Sequence, residues 1–186
     1  MDADCPFDLK FLDESEIHLL PHLTRMWMPK GSCVEVATPG TNRKVPLFGA
    51  LDYRTNRLSY RVGTGKDAAG FLAFAAELAC ECRDRPGVWV LDNVSYHTAQ
   101  VVVDFLAGLA PTIQVVWLPP YSPELNDIER VWKYVKGASL ANYYFGTVAS
   151  LRGAIDKVFT ELNNAEDHDL TLKLRDPLSG HLFRSA

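Results

Sequence analysis

Residues Val88–His97 read VWVLDNVSYH. The apolar run Val88–Leu91 lacks polar alternation, the mark of a central strand covered on both faces, and Asp92 follows directly at its end. Upstream, Lys66–Arg85 is rich in Ala, Leu and Phe and stops at Pro86 and Gly87. Its large apolar residues Phe71, Leu72, Phe74 and Leu78 predict a buried helix. Downstream, Thr98–Leu109 predicts a helix and Ile113–Leu118 a second buried strand. Further out, Phe7–Leu12 alternates apolar Phe7, Leu9 and Phe11 with Asp8 and Lys10, predicting a strand that leads into Asp13. A short strand over Ile17–Leu20 is expected to pair back. An irregular loop broken by Pro21, Pro29, Gly31, Pro39 and Gly40 comes next. Val45–Leu51 and Leu58–Val62 flank a polar connection and predict an antiparallel hairpin. Beyond the central strands, Pro119, Pro120 and Pro123 force an extended loop, followed by helices over Ile128–Lys136 and Val148–Leu162.

Antiparallel strands first, then alternating helices and parallel strands, predict an α/β fold. It is a ribonuclease H-like mixed sheet, three antiparallel strands followed by parallel ones, with helices on both faces. The 186 residues suit one domain and a real core, and a 47% hydrophobic, 23% charged composition excludes general disorder. Residues 1–165 are expected to form that domain, with 166–186 a tail of uncertain structure. No apolar run approaches the roughly 18–20 residues of a membrane span, and the acidic N-terminus lacks the form of a signal peptide, so a cytoplasmic location is expected. Cys5, Cys33, Cys80 and Cys82 lack the paired spacing of a zinc site and predict reduced, buried thiols. The net charge of −4 argues against a surface that grips DNA through phosphate neutralisation alone. Positive charge is nevertheless concentrated between residues 25 and 66, in Arg25, Lys30, Arg43, Lys44, Arg54, Arg57, Arg61 and Lys66. That segment is either a solvated face of hairpins or a DNA-contacting surface.

Asp13 and Asp92 each stand at the carboxyl end of a predicted strand, the edge where ligands collect in open sheets. Glu129 falls in the first turn of a later helix, where the proline-rich loop can return it to that edge. Magnesium is bound by one or two carboxylates plus waters and substrate phosphates. Two such ions about 3.5–4 Å apart serve both oxygens of an in-line phosphoryl displacement. Each acid also has a plainer reading. Asn126 lies three residues before Glu129, as in a helix capping box. Asp92 beside Asn93 suits a strand-ending turn, and Asp13 beside Glu14 a solvated strand end. Asp52 and Asp104 are rival acids explained by a hairpin turn and a surface helix position.

The words around these acids are more specific than the acids themselves. Val90–His97, VLDNVSYH, and Leu118–Trp132, LPPYSPELNDIERVW, with Phe11–Glu14, FLDE, ahead of them, resemble the DDE transposases of bacterial insertion sequences related to mariner. The resemblance runs from Phe7 to Lys136. It implies that Asp13, Asp92 and Glu129 are catalytic metal ligands for two Mg2+ ions, with Mn2+ able to substitute, and that Glu14, Asn93, His97 and Asn126 support them. Asp127 stands where relatives commonly carry proline. Glu129 keeps the motif position, and Asp127, two residues away, should point elsewhere around the helix. Arg130, Lys133 and Lys136 recur at intervals of three and, with Arg43 and Lys44, are candidate DNA-backbone contacts, a solvated face being the alternative. Trp132 is expected in the core.

The implied function is that of a transposase catalytic core, cleaving DNA at element ends and joining it to target DNA as a homodimer. A ribonuclease H-like nuclease without strand transfer, and an inactive remnant serving as a binding module, are the alternatives. Because the sequence begins close to the first catalytic strand, the N-terminal helix-turn-helix DNA-binding domain of such enzymes is expected to be absent or separate.

Overall fold

In a computed structural model, which describes residues 6–81 and 85–164, the chain forms a five-stranded sheet in the order β3-β2-β1-β4-β5. Strand β1 (Asp8–His18) runs parallel to β4 (Gly87–Leu91), which runs parallel to β5 (Ile113–Trp117). Strands β2 (Lys44–Asp52) and β3 (Leu58–Val62) are the expected antiparallel hairpin. Tyr53 N–H donates to the Leu9 carbonyl at 2.8 Å and Leu19 N–H to the Arg43 carbonyl at 2.7 Å. Numbering that falls along one strand as it rises along the other makes β1 and β2 antiparallel. Three antiparallel strands followed by parallel ones is the mixed sheet that the sequence predicts.

The described chain divides into two compact units, one built from the chain up to Ser15 with Pro46–Glu129, the other from Glu16–Val45 with the chain from Arg130 onward. In the first, α1 (Ala68–Glu81) and α2 (Gln100–Gly108) contribute Phe71, Phe74, Leu78, Val102 and Leu106 to a core shared with Leu12, Phe48, Trp89 and Leu91. Asp67 opens α1 by accepting a hydrogen bond from Gly70 N–H at 2.8 Å. The Phe48 ring lies against Gly70, where a Cβ would sit 2.7 Å from its Cζ. In the second unit, α4 (Val148–Asn164) buries Leu151, Ile155, Val158, Phe159 and Leu162 at helical spacing, and Thr147 Oγ1 caps it through Ser150 N–H at 3.1 Å. Trp132 is buried there, edge-on to Phe159 with centroids 6.1 Å apart, which is the expected core role. Residues 19–43 hold no strand or helix, as the prolines and glycines predict, and Asn142 pins them by pairing its side-chain amide with Thr24 N–H and C=O at 2.9 and 3.1 Å. Among the described residues, no helix is long and apolar enough to cross a membrane.

Several local expectations are corrected. Strand β1 is continuous, so Asp13 lies in its interior rather than at its end, and the separate strand at Ile17–Leu20 does not form. The polar run Asp13–Glu16 reads as a break, yet Glu14 and Ser15 are buried. Lys10, expected on the polar side, is buried in an ion pair with Asp52 at 2.9 Å. Strand β5 is a sheet edge, with Val116 48% and Trp117 40% exposed, rather than a buried strand. Apolar composition does not distinguish a central strand from an edge. Cys33 and Cys80 are exposed, not buried, while Cys5, Cys82 and the expected tail at 166–186 lie outside the described residues. A short 3-10 turn, Ser95–Thr98, precedes α2, and α3 (Ile128–Tyr134) passes into a π turn over Val135–Ser139 instead of continuing as α-helix to Lys136.

Gly70→Ala should destabilise the protein by about 1–2 kcal/mol despite alanine's better helix propensity, because overpacking the buried Phe48 ring costs more than the propensity returns. Urea unfolding measures this, and unchanged or increased stability would contradict the packing.

Candidate active site

Strands β1 and β4 pair in register from Asp8 against Gly87 to Phe11 against Val90. Carried two positions further, that register sets Asp13 beside Asp92, immediately after the last residue of β4. The longer β1 therefore still delivers Asp13 to the carboxyl edge of the parallel pair. Alternation along β1 sends Asp13 and Glu14 to opposite faces. After Trp117 the chain crosses Pro119 and Pro120, takes a left-handed step at Tyr121 (φ 59°) and a 3-10 turn at Pro123–Leu125, then enters α3. Glu129, in the first turn of α3, lines one cavity of about 460 Å3 with Asp13 and Asp92. Asn93, Leu118, Pro119 and Asn126 share its wall. Asp127 is not among the lining residues and sits in the turn just before α3.

Behind this cavity lies a buried polar chain. Glu14 accepts hydrogen bonds from the Tyr96 hydroxyl at 2.6 Å and from His97 Nε2 at 3.0 Å. His97 Nδ1 lies 3.1 Å from the Asp92 main-chain oxygen and 3.2 Å from its Oδ1. The ring is fully buried, 4.3 Å from the Phe71 ring centroid. Burial opposes charge on His97, but hydrogen bonds to Asp92 and Glu14 outweigh it and raise the imidazole to about 9. The imidazolium in turn holds the Asp92 carboxyl below its usual range, against its burial and with help from Val94 N–H and Lys66. Asp13 shifts the other way. Burial first, then the charges of Glu14, Glu129 and Asp92, push its carboxyl up to about 7. Three carboxylates thus share an open cavity, Asp92 paired with His97 and Asp13 pushed up by burial and by the neighbouring acids.

Two groupings could hold a cation. The ligand atoms of Glu14, Asp92 and His97 lie within 4.8 Å of one another. Both ring nitrogens of His97, however, are engaged by carboxylates, and a protonated imidazole offers no lone pair to a metal. The open grouping of Asp13, Asp92 and Glu129 presents oxygen donors alone, the set preferred by Mg2+ and Mn2+, and carries the negative charge that a divalent ion would neutralise.

The capping-box reading of Asn126 and Glu129 is not what forms. Glu129 N–H donates to the main-chain oxygen of Asn126 at 3.0 Å, whereas the Asn126 side chain donates to the Leu12 carbonyl at 3.0 Å. Asn93 is exposed and uses its side-chain N–H to hold the Leu118 carbonyl, joining the end of β4 to the proline-rich loop. The rival acids have structural tasks: Asp52 receives Lys10 and the turn N–H groups of Arg54 and Thr55, and exposed Asp104 receives Gln100. Arg43, Lys44 and Lys133 are exposed, Lys44 pairing with Glu16 at 2.8 Å, and Arg130 is half-buried. Lys136 lies in the π turn and lines a separate cavity with Glu16, His18 and His22. The π turn breaks the spacing that would keep it in line with Arg130 and Lys133. Sequence reasoning overlooked Tyr96, although it sits inside the quoted stretch beside His97. It counted Lys66 only as part of a basic segment, but its ammonium lies 3.3 Å from the Glu14 main-chain oxygen.

The profile of the family described as DDE superfamily endonuclease matches residues 8–152. The chain belongs to the DDE superfamily endonucleases. This chain is 31% identical over 132 residues to an insertion element IS630 uncharacterized 39 kDa protein of Shigella sonnei, a match covering 70% of this chain and 38% of that protein. The chain thus spans well under half of that relative. Its fold is similar to the Mos1 strand transfer complex, with a TM-score of 0.63 at 23% identity over 90% of this chain and 52% of that one. It is likewise similar to the Mos1 transposase catalytic domain with Raltegravir and Mn, with a TM-score of 0.63 at 20% identity over 92% and 77% of the two chains. A companion Mos1 structure carries Mg. These structural likenesses establish the fold.

In EDTA, His97→Ala should lower stability by about 3–5 kcal/mol, since it leaves Glu14 buried without its cation. Because the folded imidazole titrates near 9, above its ordinary 6.5, its stabilisation should be complete below about pH 6.5 and fade as pH rises through about 9. Urea unfolding from pH 6 to 10 tests both effects, and a loss under about 1 kcal/mol or a pH-independent difference between the two proteins would contradict the bridge.

Proposed function

We propose that the chain is the catalytic core of a DNA transposase, with Asp13, Asp92 and Glu129 holding two Mg2+ ions, for which Mn2+ can substitute. The observation that carries this is the convergence of three carboxylates from β1, the end of β4 and α3 on one cavity, with Asp13 pushed up to about 7 by burial and then by its acidic neighbours. The orphaned, buried Oδ1 of Asn126 on the same wall also fits a hydrated cation there. Divalent ions so bound supply Lewis-acid activation of an attacking oxygen and stabilisation of a leaving one.

The chain's own residues do the rest. Asp92, kept ionised by His97, is a ligand whose orientation is fixed from behind. Asp13 accepts a cation in place of the proton that its neighbours favour. Glu129, exposed in the first turn of α3, completes the set from a separate element, so the site is open to a polymer. In the first step a water oxygen attacks a backbone phosphorus at the element end, the bond to the 3′ oxygen breaks, and that oxygen leaves as a 3′ hydroxyl. In the second, the freed hydroxyl attacks a target phosphodiester and displaces its 3′ oxygen. Arg130, Lys133, Lys136, Arg43 and Lys44 are the proposed backbone contacts, and element ends and target are the proposed DNA partners. Recognition of the ends is assigned to a helix-turn-helix domain outside this sequence, and the active form to a homodimer. The fold's likeness to the Mos1 strand transfer complex and the insertion-element relative support the reading.

Asp13→Ala, Asp92→Ala and Glu129→Ala should each reduce Mg2+-dependent nicking of a duplex carrying the element end to the level of buffer alone, in a gel assay that also resolves joined products. Full activity in any variant removes that residue from the ligand set. Nicking without joining by the unsubstituted protein would move the reading to a nuclease.

A further inference from the structure

Asn126 is only 4% exposed and lines the cavity that Asp13, Asp92 and Glu129 share. Its Nδ2 donates to the Leu12 carbonyl at 3.0 Å, which fixes the orientation of the amide, because the flipped form would set oxygen against oxygen. Oδ1 is then enclosed with no hydrogen-bond partner among the described residues. An asparagine at the start of a helix ordinarily gives this oxygen to an N–H of the first turn. Here Glu129 N–H is taken by the Asn126 main-chain oxygen, so the side-chain oxygen is withheld from the helix. A buried acceptor left unmade costs roughly 1–3 kcal/mol, and this one belongs to a side chain tied to the residue before Asp13 and three positions ahead of Glu129.

We propose that Asn126 is a positioning residue of the metal site: its NH2 group ties the start of α3 to β1, and its Oδ1 accepts a hydrogen bond from a water in the coordination shell of the cation held by Asp13 and Glu129. The inference rests on the reading of those acids as ligands. Magnesium bound by one or two carboxylates keeps several waters, so its shell presents O–H donors to the cavity wall. A neutral amide oxygen receives one of them without adding charge where Asp13, Glu14, Asp92 and Glu129 already crowd. Outer-shell partners of this kind orient the ligands and raise metal affinity.

The test is Mn2+ binding at fixed pH, by calorimetry and water-proton relaxation, to the unsubstituted chain and to Asn126→Ala, Asn126→Asp and Asp13→Asn. Thermal melting in EDTA checks that each variant folds. Asn126→Ala should weaken Mn2+ binding by about 10–100-fold, whereas Asn126→Asp, which keeps an oxygen acceptor but loses the tie to Leu12, should bind clearly more tightly than the alanine variant. If the alanine variant does not fold, Asn126→Ser takes its place with the same expected loss, since its shorter side chain cannot reach both partners. Equal affinity in the alanine and aspartate variants, whether unchanged or equally weakened, overturns the role of Oδ1. Unchanged binding by Asp13→Asn overturns the ligand assignment itself, and the inference with it.

Discussion

Everything at the sheet edge depends on how four carboxylates are kept close together. Glu14 and Asp92 would repel each other in a buried setting, and the fully buried His97 ring stands between them with one nitrogen on each. Its charge is stabilised by the acids that it separates, which is why burial does not neutralise it. The ring also spans two elements, since Glu14 belongs to β1 and Asp92 follows β4. One imidazolium therefore fixes the spacing of the parallel pair at the point where both strands carry acids.

What the bridge leaves over is as informative as what it satisfies. Glu14 and Asp13 are adjacent, but strand alternation sends one into the polar chain behind the sheet edge and the other into the open cavity. Asp13 keeps its repulsion with Asp92 and Glu129, and Asn126 keeps an unused oxygen nearby. An enclosed acceptor and an ionisation held back by burial and by like charges are both unfavourable in isolation, and a hydrated divalent cation relieves both. Local rules fail together at this edge, the pattern expected of a functional site rather than of imperfect packing.

Most of the strands were legible because each is bounded by local signals. The apolar run Val88–Leu91, the stop at Pro86-Gly87 and the polar connection after Asp52 each mark an element by composition alone. The three acids were singled out through the motif words around them, not through their own spacing, which equally suited a cap, a turn and a strand end. The cap reading of Asn126 failed because Glu129 N–H goes to the Asn126 main-chain oxygen, while Leu12, far away in sequence, orients the amide through its NH2 group. The continuous β1 was illegible for a related reason. Glu14 is tolerated inside a strand only because Tyr96 and His97 come to meet it, and such long-range partners leave no local trace. The exposure of β5 depends on its edge position, which strand composition does not report.

The most direct test of the central claim is the location of manganese in crystals soaked with Mn2+, read from anomalous scattering. Peaks in direct coordination with carboxylate oxygens of Asp13, Asp92 and Glu129, with His97 still between Glu14 and Asp92, are the expected result. A peak bound to a ring nitrogen of His97, with Asp13 and Glu129 unligated, would contradict the assignment of the site.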